Sequence, residues 1–284
     1  MMSIIEVQNL KKNFGKTFAV DGISFSVEKG EIFGFLGPNG AGKTTTIRCL
    51  MDFIRPTEGT IKIEDKKDIG YLPGNVRLYD GWTGEDHMKF IEGIRGKSER
   101  ADELINKLDF NPKIKTKTLS SGNKQKLGLI LALMYDPKLL IMDEPTVGLD
   151  PLLQNKIYEI LEDLKSKGTT IFMSSHNLPE VERLCSRVGI IKDGKIIALE
   201  DIGKLHAKRI HIVTVVFSGK FDKKDFDFDG VKVSEVLPDG LVIKVKDDIN
   251  ILIKKLSNYN LKDINISHAT LEEVFLEFYA RKDI

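Results

Sequence analysis

Residues 37–44, Gly-Pro-Asn-Gly-Ala-Gly-Lys-Thr, satisfy the pattern G-x-x-x-x-G-K-[ST] without a mismatch. The apolar run Ile32-Phe33-Gly34-Phe35-Leu36 just before them reads as a buried strand, and Thr45-Thr46-Ile47-Arg48-Cys49-Leu50-Met51 just after them reads as a helix. A strand, a Gly-rich loop and a helix N-terminus aim successive backbone N–H groups and the positive end of a helix dipole at one point. Gly37, Pro38, Asn39, Gly40, Ala41, Gly42, Lys43, Thr44 and Thr45 are therefore expected to cradle the β- and γ-phosphates of a nucleotide. Lys43 is the expected mobile point charge and Thr44 the hydroxyl ligand for Mg²⁺. Gly37, Gly40 and Gly42 fit a loop that needs positive φ and has no room for Cβ atoms near the phosphates.

Outward from this loop the chain alternates strand and helix. Ile4 to Leu10 and Phe18 to Val27 read as strands; the second sends Ile23, Phe25 and Val27 to one face and Ser24, Ser26 and Glu28 to the other, as in an antiparallel sheet wetted on one side. Further strands are expected at Gly59–Ile63, Ile69–Leu72, Lys138–Met142 and Thr169–Met173, with helices over 85–109 and 152–166. Ser98 is the expected N-cap inside the first of these helical stretches. Val188 to Ala198 holds a hairpin turning at Asp193-Gly194. Buried strands alternating with helices argue an α/β core with parallel pairing.

Around residues 200–208 the texture changes, which divides the chain into residues 1–208 and a separate small α+β domain at 209–284. There the expectation is strands at Ile210–Phe217, Val231–Val236, Leu241–Val245 and Asp263–Ile266, a helix at Asn250–Leu256, and a loop over Phe221–Gly230. A last helix follows, with Thr270 and Glu273 as a capping box and Leu271, Val274, Phe275 and Phe278 as an apolar stripe that packs on its own small sheet.

The 284 residues carry a net charge of +1, so nothing in the charge balance argues for a nucleic-acid partner. Two separated cysteines, Cys49 and Cys185, suggest neither a metal site nor a disulfide framework, and point to a reducing compartment. The N-terminus lacks the basic-then-apolar pattern of a secretory signal. No apolar run approaches the roughly 18 residues a membrane span needs; Leu127 to Tyr135 has only the length of a core helix. Work at a membrane would need spans supplied by another chain.

Three further side chains carry chemistry. Asp143 and Glu144 close an apolar strand, where α/β sheets place their ligands. Taken alone the pair is equally well an acidic strand-to-loop turn; beside a phosphate loop, Asp143 is expected to hold Mg²⁺ and Glu144 to orient and deprotonate a water. His176 also ends an apolar strand, directly after Ser174 and Ser175, a position that favours sensing phosphate over a purely structural role. His87, His206, His211 and His268 have no such context.

In this setting Leu119-Ser120-Ser121-Gly122-Asn123-Lys124-Gln125 looks like the signature motif of the ATP-binding subunits of ABC transporters, with Ser121 and Asn123 as variants. The phosphate loop, this motif, the Asp143-Glu144 strand end, Val147-Gly148-Leu149-Asp150 and His176 follow one another in that family's order, and the resemblance covers roughly residues 4–205. It implies a P-loop NTPase α/β fold of the ABC type: a mixed sheet, an antiparallel β-subdomain and a helical signature subdomain. It implies ATP and Mg²⁺ as ligands, with Phe14 stacking on adenine where the family more often has Tyr. Ser120, Ser121 and Gly122 would meet the γ-phosphate of ATP held by a second subunit, and Asp150 would couple the two sites. A complete site then needs a homodimer, and a polytopic membrane permease holds the ATPase at the cytoplasmic face of the cell membrane.

Two departures from the family pattern stand out. Gly74 occupies the place of the usual Gln after Ile69-Gly70-Tyr71-Leu72-Pro73, so either Asn75 or a water takes over its contacts, or the coupling is weaker. The stretch Gly59–Ile69 is short, which suggests a trimmed β-subdomain. Leu78-Tyr79-Asp80, Thr83-Gly84-Glu85 and Thr270-Leu271-Glu272-Glu273-Val274-Phe275 resemble the drug-exporter branch. The reading is an exporter's energy-coupling ATPase. Its rivals are a soluble ABC-type ATPase acting on ribosomes or nucleic acid, an importer ATPase, and a non-catalytic scaffold, the last weakened by the intact Asp143–Glu144 pair.

Overall fold

The computed structural model describes residues 2–207, 210–246 and 248–268. The chain forms two compact units, Met1–Glu200 and Asp201–Ile284.

In the first unit, β3 (Ile32–Leu36), β6 (Leu139–Asp143) and β7 (Thr170–Ser175) are buried along their whole length. Apolar runs of this kind suit the middle of a parallel sheet covered on both faces. With β5 (Ile69–Leu72), β8 (Arg187–Lys192) and β9 (Lys195–Asp201) they form a six-stranded sheet ordered β5-β6-β7-β3-β8-β9. The pairs β5/β6, β6/β7, β7/β3 and β3/β8 are parallel. The register sets Asp143 beside Ser174 and Leu36 beside Ser175, so the chain leaves β3, β6 and β7 along one common edge.

The expected antiparallel sheet is present. It has three strands, β1 (Ser3–Phe14) between β2 (Thr17–Glu28) and β4 (Glu58–Ile63). The alternation in β2 is realised: Ile23, Phe25 and Val27 are buried. Phe25 stacks against Phe33, Phe35 and Phe172 with ring centroids 5.5–5.9 Å apart, which joins this sheet to the parallel one through an aromatic core.

The helical stretch expected over 85–109 is two helices, α2 (Gly84–Arg95) and α3 (Ala101–Lys107). The break has a local cause. Gly96 adopts φ 90° and ends α2, while Ser98 Oγ turns to accept from the Arg100 and Ala101 amides and to donate to the Met134 carbonyl. Ser98 thus opens α3 as an N-cap would. A short 3₁₀ turn at Thr116–Thr118 leads into α4 (Ser121–Leu133), and these helices make up the helical subdomain. The remaining helices of the unit are α1 (Lys43–Leu50), α5 (Pro151–Ser166) and α6 (Leu178–Leu184).

The second unit opens with α7 (Ile202–Ala207), which the sequence reading did not anticipate. An antiparallel sheet follows, ordered β11-β12-β10-β13: β10 (Ile210–Phe217), β11 (Val231–Leu237), β12 (Gly240–Lys246) and β13 (Leu261–His268). α8 (Ile249–Leu256) adds Leu252 and Leu256 to its core. The stretch expected to be a loop, Phe221–Gly230, contains a 3₁₀ turn at Lys223–Phe226 that Asp222 caps through the Lys224 amide. The turn drives Phe226 into the core beside Phe217 and Tyr259, so a segment that looks polar carries one anchoring ring. The expected final helix, with its Thr270–Glu273 capping box and its stripe of Leu271, Val274, Phe275 and Phe278, lies outside the described residues.

Candidate active site

The loop 37–42 runs from the end of β3 to α1, and backbone bonds fix both of its sides. The Gly37 amide donates to Ser175 O (3.1 Å), and Ala41 O accepts from Gly194 N (3.1 Å), so the Asp193-Gly194 hairpin turn supports the loop from beside it. The glycines serve for different reasons. Gly40 and Gly42 have φ 83° and 109°, as expected of a loop needing positive φ. Gly37 does not. A Cβ there would lie 2.3 Å from Ile191 O, so its glycine allows β8 to come close and not a left-handed turn.

Lys43 is not the mobile charge that the sequence suggested. Its side chain is 4% exposed, and Nζ donates to Gly37 O (2.7 Å) and Pro38 O (3.0 Å) while lying 3.0 Å from Glu144 Oε1. Carbonyl oxygens and a carboxylate around one ammonium hold it in place. The other oxygen of Glu144 lies 3.0 Å from His176 Nδ1. The carboxylate therefore bridges the phosphate loop and the end of β7. Glu144 holds this position with φ 51°, a strained value for a non-glycine residue. Its amide is satisfied by Ser174, both Oγ (3.0 Å) and O (3.2 Å).

Asp143 is buried at the end of β6, and its Oδ1 accepts from Ser174 Oγ (2.6 Å). Its Oδ2 lies on the side of Gly74, 3.6 Å from where a Cβ on that residue would sit. Two cavities meet here. One of about 240 Å³ is lined by Ala19, Asn39, Gly40, Gly42, Lys43, Thr44, Thr45 and Glu144. The other, of about 700 Å³, is lined by Thr44, Gly74, Asn75, Asp143 and Glu144 together with Arg48, Tyr71 and Arg77. Thr44 and Glu144 belong to both.

This donor set fits Mg²⁺. Among the described residues no group of three or more His, Cys, Asp or Glu side chains forms a metal cage, whereas Asp143 and the Thr44 hydroxyl share one roomy polar cavity. Mg²⁺ is held in that manner, by one or two protein oxygens with waters and substrate phosphates completing the shell.

Comparison with known proteins decides the family. Residues 20–147 match the sequence pattern of the ABC transporter family. An uncharacterized ABC transporter ATP-binding protein of Methanocaldococcus jannaschii is 38% identical over 270 residues, which is 92% of this chain and 97% of that one. The chain belongs to the ABC transporter ATP-binding proteins. The linearmycin resistance ATP-binding protein of Bacillus subtilis is 39% identical, over 69% of this chain and 68% of its own. A lantibiotic transport ATP-binding protein of Streptococcus pyogenes is also 39% identical, over 68% and 89% of the two chains. The solved structure of an ATP-binding subunit of an ABC transporter superposes with a TM-score of 0.67 at 28% identity, covering 72% of this chain and 92% of that one. The protein is thus an ATPase cassette of the P-loop type.

Other residues that the family resemblance singles out lie apart from this pocket. Ser120 is the N-cap of α4, accepting from the Asn123 amide at 3.3 Å, and it is exposed together with Ser121. Asp150 caps α5 in the same way through the Leu153 amide at 3.0 Å. None of Ser120, Ser121, Gly122 and Asp150 lines either cavity at the phosphate loop. Phe14, 55% exposed at the end of β1, has Lys12 Nζ 5.1 Å from its ring centre. It pairs across the hairpin with Thr17.

Several members of the cassette's site were not anticipated. Ser174 binds both carboxylate-bearing residues of the β6 end, Ala19 walls the phosphate cavity, and Gly194 braces the loop. Ser174 was noted only as a hydroxyl preceding His176. Pairing it with Asp143 required the register of two strands 31 positions apart in sequence.

Proposed function

We propose that this ATPase is the energy-coupling subunit of an ABC exporter, that two copies close over two MgATP molecules, and that the closure drives a separate polytopic permease from the cytoplasmic face of the membrane. The observation that carries this is the bridge made by Glu144, one oxygen on Lys43 and the other on His176, at the mouth of the phosphate loop. The relatives named for linearmycin resistance and lantibiotic transport support the exporter direction. Among the described residues no helix is long and apolar enough to cross a membrane, so this reading assigns the spans to the partner chain.

The residues divide the work as follows. Backbone amides at the start of α1 and the Lys43 ammonium neutralise the β- and γ-phosphates, and Gly37 to Thr45 shape the cradle. Thr44 and Asp143 hold Mg²⁺, which supplies further positive charge on the phosphates. Glu144 accepts the proton of the attacking water, and His176 orients that carboxylate and holds the γ-phosphate end. Phe14 stacks on adenine, while Ser120, Ser121, Gly122 and Asp150 serve the ATP of the opposite copy. This last assignment accounts for the exposure of Ser120, Ser121 and Asp150 away from their own chain's cavity.

The test is Glu144→Gln. Turnover of ATP should fall roughly 10²–10⁴-fold, the range for losing a general base, with ATP affinity retained. A variant that hydrolyses ATP at near the parent rate would remove Glu144 from this role.

A further inference from the structure

The mechanism above leaves the most deeply buried acid among the described residues without a task. Glu180, in α6, is 3% exposed, and its two oxygens accept from two hydroxyls on different segments: Ser175 Oγ at 2.6 Å and Thr146 Oγ1 at 2.7 Å. Ser175 immediately precedes His176, and its Oγ also accepts from the Asn177 amide at 2.9 Å. Thr146 lies two residues after Glu144, in the segment leading to Asp150. That segment is pinned twice more: Gln125 Nε2 of α4 donates to Pro145 O (2.8 Å), and Gln154 Nε2 of α5 donates to Thr146 O (3.3 Å) and Leu149 O (3.1 Å). Together with the His176–Glu144 contact, the chain closes a ring: Glu144 through Thr146 to Glu180, then to Ser175, His176 and back to Glu144.

Burial pushes the Glu180 carboxyl above its usual range, and the Ser175 and Thr146 hydroxyls pull it back. A site that needed only to be filled would be better served by an apolar side chain, because a buried carboxylate costs desolvation. Two hydroxyls, one at the end of β7 and one in the turn after β6, each directed at one oxygen, give the group a directional role instead.

We propose that Glu180 is a positioning residue for ATP hydrolysis. Through Ser175 it fixes the turn that carries His176 against Glu144, and through Thr146 it holds the loop that runs from Glu144 to Asp150. The inference rests on the reading of Glu144 and His176 as the hydrolytic pair.

The test is steady-state MgATPase and equilibrium ATP binding on the full chain, with Glu144→Gln measured in parallel. Glu180→Ala should lose on the order of 10- to 100-fold in kcat, the effect of misplacing a reacting group, while ATP affinity stays within about twofold because the Ser175 carbonyl that accepts from the Gly37 amide is held by the pairing of β7 with β3 and not by Glu180. Glu180→Gln should recover most of the turnover. Its amide oxygen takes one hydroxyl, its N–H donates to the other, and Ser175 Oγ has an alternative acceptor in Asn177 O at 3.3 Å. Ser175→Ala and Thr146→Val should each lose part of kcat, and each should add less than its own loss when combined with Glu180→Ala, because all three act through one carboxylate. A parent-like kcat in Glu180→Ala would overturn the proposal. Should Glu180→Ala fail to fold, a parent-like kcat in both Ser175→Ala and Thr146→Val would do the same. Inactive Glu144→Gln beside fully active clamp variants removes the positioning role alone, whereas active Glu144→Gln removes the reading of the hydrolytic pair.

Discussion

Gly37 and Gly42 stand five residues apart in one motif, yet a methyl group would fail at each for a different reason. At Gly42 it meets both a φ of 109° and Ala19 O at 2.4 Å; at Gly37 the backbone would tolerate it, but Ile191 O would not. Gly37→Ala must therefore push the loop from β8, a strain of about 1–3 kcal/mol. ATP affinity should fall roughly 5- to 150-fold in a titration, and unaltered binding would show that the contact is relieved elsewhere. Position 74 poses the converse problem. Glycine there leaves the Asp143 carboxylate with no side chain above it, and Asn75 is the amide that lines the shared cavity. Asn75→Ala should lower hydrolysis in the assembled transporter; unchanged turnover there excludes Asn75 from the site. The motif residues were legible one by one because each sits in a short pattern with a chemical reason. Lys43's confinement was not legible, since it depends on Glu144, a residue 101 positions away.

At the scale of elements, legibility followed burial. The wholly apolar strands β3, β6 and β7 and the alternating β2 were readable because the run length and the two-residue period report which faces are covered. The stretch 85–109 reads as helical with Ser98 as a cap inside it, and the break between its two helices falls there, at Gly96 and Ser98. Helix α2 starts on a full capping box, in which Thr83 Oγ1 accepts from the Asp86 amide (3.1 Å) and Asp86 Oδ2 accepts from the Thr83 amide (2.8 Å). Thr83→Ala should cost about 1 kcal/mol in denaturant unfolding. The Thr83 amide and hydroxyl hold the Asp86 carboxyl below its usual value. A group depressed on folding contributes above its unfolded pKa and loses that contribution as pH falls through the folded one. The gap between parent and Thr83→Ala should therefore narrow in acid. A gap independent of pH would show that the bond from the Thr83 hydroxyl to the Asp86 carboxylate adds nothing to the cap.

For the whole molecule, the pocket holds half of what the family resemblance requires. The phosphate loop, Glu144 and His176 converge in one copy, while Ser120 and Asp150 cap helices and line neither of its two cavities. The sequence carried five of the family's motifs in order, yet which of them meet within a single chain is a property of sheet register and helix placement that no motif encodes. The direct measurement is the mass in solution of full-length Glu144→Gln by light scattering, with and without MgATP. ATP should convert the 32.0 kDa chain to a species of twice that mass, and adding a bulky Ser120→Arg substitution should abolish the conversion while ATP still binds. A protein that binds ATP tightly and stays at the mass of one chain would contradict the account.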